Sequence, residues 1–139
     1  MGRDSSGYSK KPLPGKLGIK DGFKVAVLNA PPYYRKKLGE ARSVVVEEAL
    51  PGYPLDFIQF FAVDRRQLES EFPRLRDGLT MTGMLWISWP KRSSGVKTDL
   101  SDRFVREIGL RNGLVDVKVA AVDETWSGLK FVRRLEDRR

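Results

Sequence analysis

The chain has 139 residues, of which 26 are Lys or Arg and 18 Asp or Glu, giving a formal net charge of +8, and it contains neither histidine nor cysteine. Imidazole bases, thiolate nucleophiles, disulfides and Cys/His zinc sites are therefore excluded. Chemistry falls to carboxylates, lysine, tyrosine and hydroxyls, and a bound metal would have to be a hard ion held by oxygen.

The length suits one domain that buries roughly two-thirds of its unfolded surface. The expected division is a flexible tail over 1–8, a single domain over 9–134 and a basic tail over 135–139. No stretch is apolar for long enough to span a membrane or to act as a signal peptide, so the sequence reads as a soluble, cytoplasmic protein with no membrane partner. Met1, Gly2 and Ser6 match the short myristoylation pattern, for which a disordered start is the plainer reading. Residues 1–24 carry six basic and two acidic side chains and residues 130–139 five and two, whereas 25–129 is nearly balanced at fifteen to fourteen. Weak nucleic-acid association through the basic ends is one reading of this distribution, and solvated tails are the other.

Between Ser9 and Lys20, Pro12, Pro14, Gly15 and Gly18 allow at most a short helical turn, with Leu13, Leu17 and Ile19 available for packing. Asp21-Gly22 turns the chain into Val25-Ala26-Val27-Leu28, an apolar run too short for a helix and rich in β-branched residues, hence a buried strand. Pro31-Pro32 follows, then a short helix over Tyr33 to Leu38 that ends near Gly39. Ser43 to Val46 is a second strand and Phe57 to Ala62 a third. The connection between them is too short for a regular helical crossover.

Asp64 is placed to cap the next helix, with Gln67 completing a loose capping box and Leu68, Phe72, Leu75 and Leu79 at helical spacing. Pro73 removes one backbone bond from it, which predicts a kink or two short pieces. After Thr82-Gly83, Met84 to Trp89 is a fourth strand, in which Trp86 and Trp89 point to opposite faces. Lys91 to Asp99 forms a polar loop before a helix bearing Leu100, Phe104, Val105 and Ile108. Val115, Val117, Val119 and Ala121 then alternate with other residues, and Leu129 to Arg133 forms a second run across a short loop, which predicts an antiparallel hairpin. Strands alternating with helices imply a mainly parallel sheet covered on both faces, so the expected fold is α/β: a three-layer Rossmann-like sandwich with a C-terminal antiparallel hairpin.

Ligands of open parallel sheets bind beyond the carboxyl ends of the strands. The first such loop, Asn29-Ala30-Pro31-Pro32, lacks the glycines of a phosphate cradle, and both prolines lack a donor, so no cofactor is expected there. The loop after Trp89 gathers cations and hydroxyls, and Lys91, Ser94, Lys97, Thr98 and Asp99, with Asn29 opposite, form the first candidate ligand site. Alternatively the loop is merely solvated, with Asp99 or Ser101 capping the helix. A second cluster, Asp123, Glu124, Trp126 and Ser127, suits either an acid-base or metal site beside an indole, or a turn whose acids face water. Tyr33 and Tyr34 show no partner pattern.

Leu17-Gly18-Ile19-Lys20, Leu85-Trp86-Ile87-Ser88-Trp89-Pro90-Lys91, Ser94-Gly95-Val96-Lys97-Thr98-Asp99-Leu100 and the run from Gly113 to Lys130 containing Asp123-Glu124-Thr125-Trp126-Ser127-Gly128 resemble a small bacterial family, domain of unknown function 3052. The resemblance spans Tyr8 to Arg133. It implies a bacterial, cytoplasmic, single-domain protein and brings no activity, cofactor or site with it. The order of helices and strands with a closing hairpin also resembles the C-terminal half of the S-adenosylmethionine-dependent methyltransferase fold.

These readings lead to a noncatalytic domain that binds a protein partner or a small anionic ligand. The alternative is a divergent transferase or hydrolase using Asp99, Asp123 or Glu124 with Lys91. Self-association is compatible with either.

Overall fold

The apolar runs become strands of one six-stranded sheet because each is too short to bury itself as a helix and can satisfy its backbone only against neighbours. The structure, a computed structural model, describes residues 12–39 and 44–138. The expected N-terminal tail and Ser43 lie outside these residues. The elements are α1 (Leu13–Leu17), β1 (Lys24–Leu28), α2 (Tyr34–Leu38), β2 (Val45–Glu47), β3 (Leu55–Phe61), α3 (Arg65–Asp77), β4 (Leu79–Pro90), α4 (Asp102–Arg111), β5 (Leu114–Ala121) and β6 (Trp126–Arg133). The sheet order is β2-β1-β3-β4-β6-β5. Strands β1 to β4 run parallel, and β6 is antiparallel to both β4 and β5. The expected α/β three-layer sandwich with its antiparallel hairpin is therefore observed, and the hairpin is folded in so that its second strand enters the sheet first.

Alternation along the strands divides the core in two. Ala26, Leu28, Ile58, Phe60, Leu85, Ile87 and Trp89 face α3 and α4. Val25, Val27, Phe57, Phe61 and Trp86 face α1 and α2. Trp86 and Trp89 thus do point to opposite faces, each as a core residue. The Trp86 indole donates to the Leu17 carbonyl at 2.8 Å, fastening the short α1 to the sheet. On the same face Tyr34 donates to Gln59 at 2.7 Å, and Gln59 donates to the Ser88 hydroxyl at 3.0 Å, so these buried polar groups satisfy one another.

Two expectations fail. Leu79 does not extend the helical face: Gly78 ends α3, its amide bonding the Arg74 and Leu75 carbonyls, and Leu79 opens β4. Thr82-Gly83 accordingly lies within β4 rather than before it. Pro73 does not divide α3, which is one helix from Arg65 to Asp77. Leu68, Phe72 and Leu75 are buried along it, and that burial offsets the single missing backbone bond. The link from β2 to β3 contains no helix, as its length required.

Lys118 and Lys130 are register partners across β5 and β6. Like charges directly opposite oppose pairing. Burial, followed by Lys118 and Lys20, lowers the Lys130 pKa from its ordinary 10.5. Lys130→Met is expected to raise stability by about 0.5 kcal/mol at neutral pH. There the ammonium is present in folded and unfolded chains alike, so its cost to the fold is fully expressed. As pH rises through the lowered folded-state value towards 10.5, the folded wild-type sheds the proton first and the advantage of the variant fades. Melting temperatures of both proteins across that range check this, and identical values at pH 7 would contradict it.

Candidate functional site

The carboxyl ends of β1 to β4 share one edge of the sheet with the β5–β6 turn, because Pro90 pairs with Trp126 and Ala121 with Ser127. Both candidate clusters therefore come to the same edge. A cleft of 660 Å³ there is walled by the loop after β4, the start of α4 and the ends of β5 and β6. Of the expected residues, Lys91, Lys97, Thr98 and Ser127 line it. Arg92, Ser101 and Val119 line it as well; of these, Arg92 had a signal in its position beside Lys91.

The loop owes its shape to its own hydroxyls. Arg92–Ser94 form a 3-10 turn closed by Gly95 at φ 80°, a left-handed conformation that suits glycine. Ser94 donates to the Lys91 carbonyl at 2.7 Å and accepts from the Val96 amide at 3.1 Å. Thr98 donates to the Val63 carbonyl and accepts from the Leu100 amide at 3.1 Å. The Lys91 amide donates to the Thr125 carbonyl at 2.7 Å, joining the loop to the β5–β6 turn. Ser101, not Asp99, caps α4 by accepting from the Phe104 amide. Asp99 turns away from the cleft, accepting from the Arg65 amide at 2.8 Å at the start of α3.

Asp123 departs from the expectation of a turn with both acids in water: it is buried, 3% exposed. Its Oδ1 accepts from the amides of Thr125 and Trp126, at 2.8 and 2.9 Å, and its Oδ2 from the Tyr33 hydroxyl at 3.0 Å. Tyr33 in turn accepts from the Trp126 indole at 3.1 Å. Desolvation first, then the hydrogen bond to Asp123, raises the Tyr33 pKa. Glu124 does face water, paired with Lys37 at 2.7 Å. That hydrogen bond lowers the Glu124 pKa and raises that of Lys37. This latch fixes α2, and with it the first loop, to the far end of the sheet.

Asn29 does not face the large cleft. It adopts φ 59°, which asparagine tolerates better than most residues, and lines two smaller cavities of 260 and 210 Å³ that share Asn29 and Glu48. The Arg35–Glu48 ion pair, 3.4 Å long, lies beside the first of them. Both fall below the roughly 300–1,000 Å³ typical of organic-ligand pockets. Pro31 and Pro32 offer no amide donors in that loop.

The cleft presents three cations and hydroxyls against one acid, Asp102, which suits anion binding. Asp99, Asp123 and Glu124 do not line it, so the acid-base set considered with Lys91 does not converge there. Among the described residues, no group of three or more acidic side chains could hold a metal ion. No described helix is long and apolar enough to cross a membrane.

No protein-family model matches the chain, and no curated protein matches it. Solved structures do. A SAM-dependent methyltransferase from Aquifex aeolicus superposes with a TM-score of 0.61 at 16% identity, over 86% of this chain and 86% of its own. A TehB-like SAM-dependent methyltransferase from Corynebacterium glutamicum gives 0.54 at 13% identity, over 94% and 91%. The magnesium protoporphyrin IX methyltransferase of Synechocystis PCC 6803 with bound SAH gives 0.57 at 12%, over 86% and 77%. The fold is thus the Rossmann-like fold of the methyltransferases. At these identities the likeness extends to the fold alone.

Proposed function

We propose that this protein is a noncatalytic binding domain built on the methyltransferase fold, and that it holds an anionic ligand in the cleft beyond β4. The observation that carries this reading is the inversion of room and charge along the sheet edge. The loop after β1 borders cavities of 260 and 210 Å³ and carries no cation, whereas the loop after β4 borders 660 Å³ and supplies Lys91, Arg92 and Lys97. The bacterial, cytoplasmic setting implied by the resemblance to domain of unknown function 3052 belongs to the same proposal.

Inorganic phosphate at ten times its dissociation constant is expected to stabilise the fold by about 1.4 kcal/mol. The doubly substituted Lys91→Ala, Lys97→Ala protein is expected to lose that stabilisation. A thermal-shift titration of both proteins measures it, and an unchanged shift in the variant would remove the site from this cleft.

The structural neighbours favour a second reading, a divergent SAM-dependent transferase. Its cofactor would lie at the two cavities around Asn29 and Glu48. Calorimetric titration with SAM separates the two: heat that is lost in a Glu48→Ala variant supports the transferase, and its absence beside retained phosphate binding supports the anion-binding domain.

A further inference from the structure

We infer that the ligand of the β4 cleft is an amphipathic organic anion: an oxyanion head joined to an apolar ring or chain. This rests on the anion-binding reading and adds the chemistry of the rest of the ligand.

Volume is the first reason. An inorganic oxyanion displaces only a few waters of about 30 Å³ each and would leave most of a 660 Å³ cleft wet. Clefts of that size match organic ligands.

The walls supply the second reason. Trp89 and Leu100 are core residues that border the cleft, while Val96 and Val119 border it with 45% and 58% of their surface exposed. Val119 is paired with Leu129 on the inner strand β6, yet its own strand forms the sheet edge. No strand lies on its outer side, and its side chain borders the cleft. The loop after β4 carries the charges Lys91, Arg92 and Lys97 together with Val96, while Trp89, Leu100 and Val119 lie outside it, so the lining offers cationic and apolar groups together. A ligand matching both needs both characters, since an apolar body gains about 25 cal/mol for each Å² it removes from water and an oxyanion head gains charge-assisted hydrogen bonds.

The test compares 1-naphthyl phosphate, inorganic phosphate and 1-naphthol by calorimetry on the full chain. The ester is expected to bind at least tenfold more tightly than inorganic phosphate and than 1-naphthol. Val119→Ser, at an exposed position that leaves the core intact, is expected to weaken the ester several-fold while leaving inorganic phosphate unchanged. Lys91→Ala with Lys97→Ala is expected to weaken both phosphates. Equal affinity for the ester and inorganic phosphate overturns this inference and leaves the anion-binding reading standing. Failure of both phosphates to bind, or 1-naphthol binding as tightly as its ester, overturns the two together.

Discussion

Gly109→Ala lowers the stability of the fold by about 2 kcal/mol, although alanine is the better helix former. In an exposed helix interior the exchange would gain about 1 kcal/mol. Here an added methyl would sit 2.0 Å from Cε1 of Phe131, and 2.5 and 2.6 Å from two further atoms of that ring. Phe131 is fully buried and stands edge-on to Phe72 with centroids 5.6 Å apart, so it has nowhere to retreat. Overpacking of this kind costs about 1–3 kcal/mol, and a contact at 2.0 Å belongs at or beyond the upper end, which exceeds the gain in propensity. Urea unfolding measures the net effect. In a Phe131→Leu background the same substitution should cost much less, because neighbours in contact are not additive. A Gly109→Ala protein as stable as wild type would show that α4 can lift from β6 without penalty.

Asp123→Ala is expected to cost about 3 kcal/mol. The carboxylate is buried and accepts from two backbone amides and a phenol, and hydrogen bonds to a charged group are worth roughly 1.5–3 kcal/mol. Removing it leaves the Trp126 amide buried without an acceptor. Asp123→Asn keeps an oxygen for the two amides and should lose about half as much, while Tyr33→Phe should lose about 1 kcal/mol and show coupling to Asp123→Ala. The cycle is read from denaturation midpoints. A change under 0.5 kcal/mol in Asp123→Ala would mean that water replaces the carboxylate and that the latch does not hold α2.

Much of the sheet was legible because its strands are short, apolar and bounded by Gly, Pro and Asp. The β5–β6 hairpin was legible from the few residues between its runs. Leu79 falls four residues after Leu75, a helical spacing, but Gly78, whose carbonyl accepts from the Leu55 amide, turns the chain into the sheet instead. Strand order had no local signature, since the place of β6 depends on where β4 presents a free edge.

The site was legible only in part, for a related reason. Strand ends mark loops, and that places Lys91, Lys97, Thr98 and Ser127 along the cleft. Whether Asp99 serves the cleft or the amide of Arg65 depends on where α3 lies, which spacing does not encode. The partner of Tyr33 is 90 residues away in sequence, so two adjacent tyrosines gave no hint of a latch.

The position of β6 bears on how the molecule is made. During synthesis β4 emerges well before its antiparallel neighbour, and β5 reaches solvent with no strand to join, since the two are not adjacent in the finished sheet. The amides and carbonyls on that side of β4 must then wait unpaired while the ribosome adds about forty more residues. A nascent chain halted before Trp126 should accordingly engage chaperones, and one released after Arg133 should not.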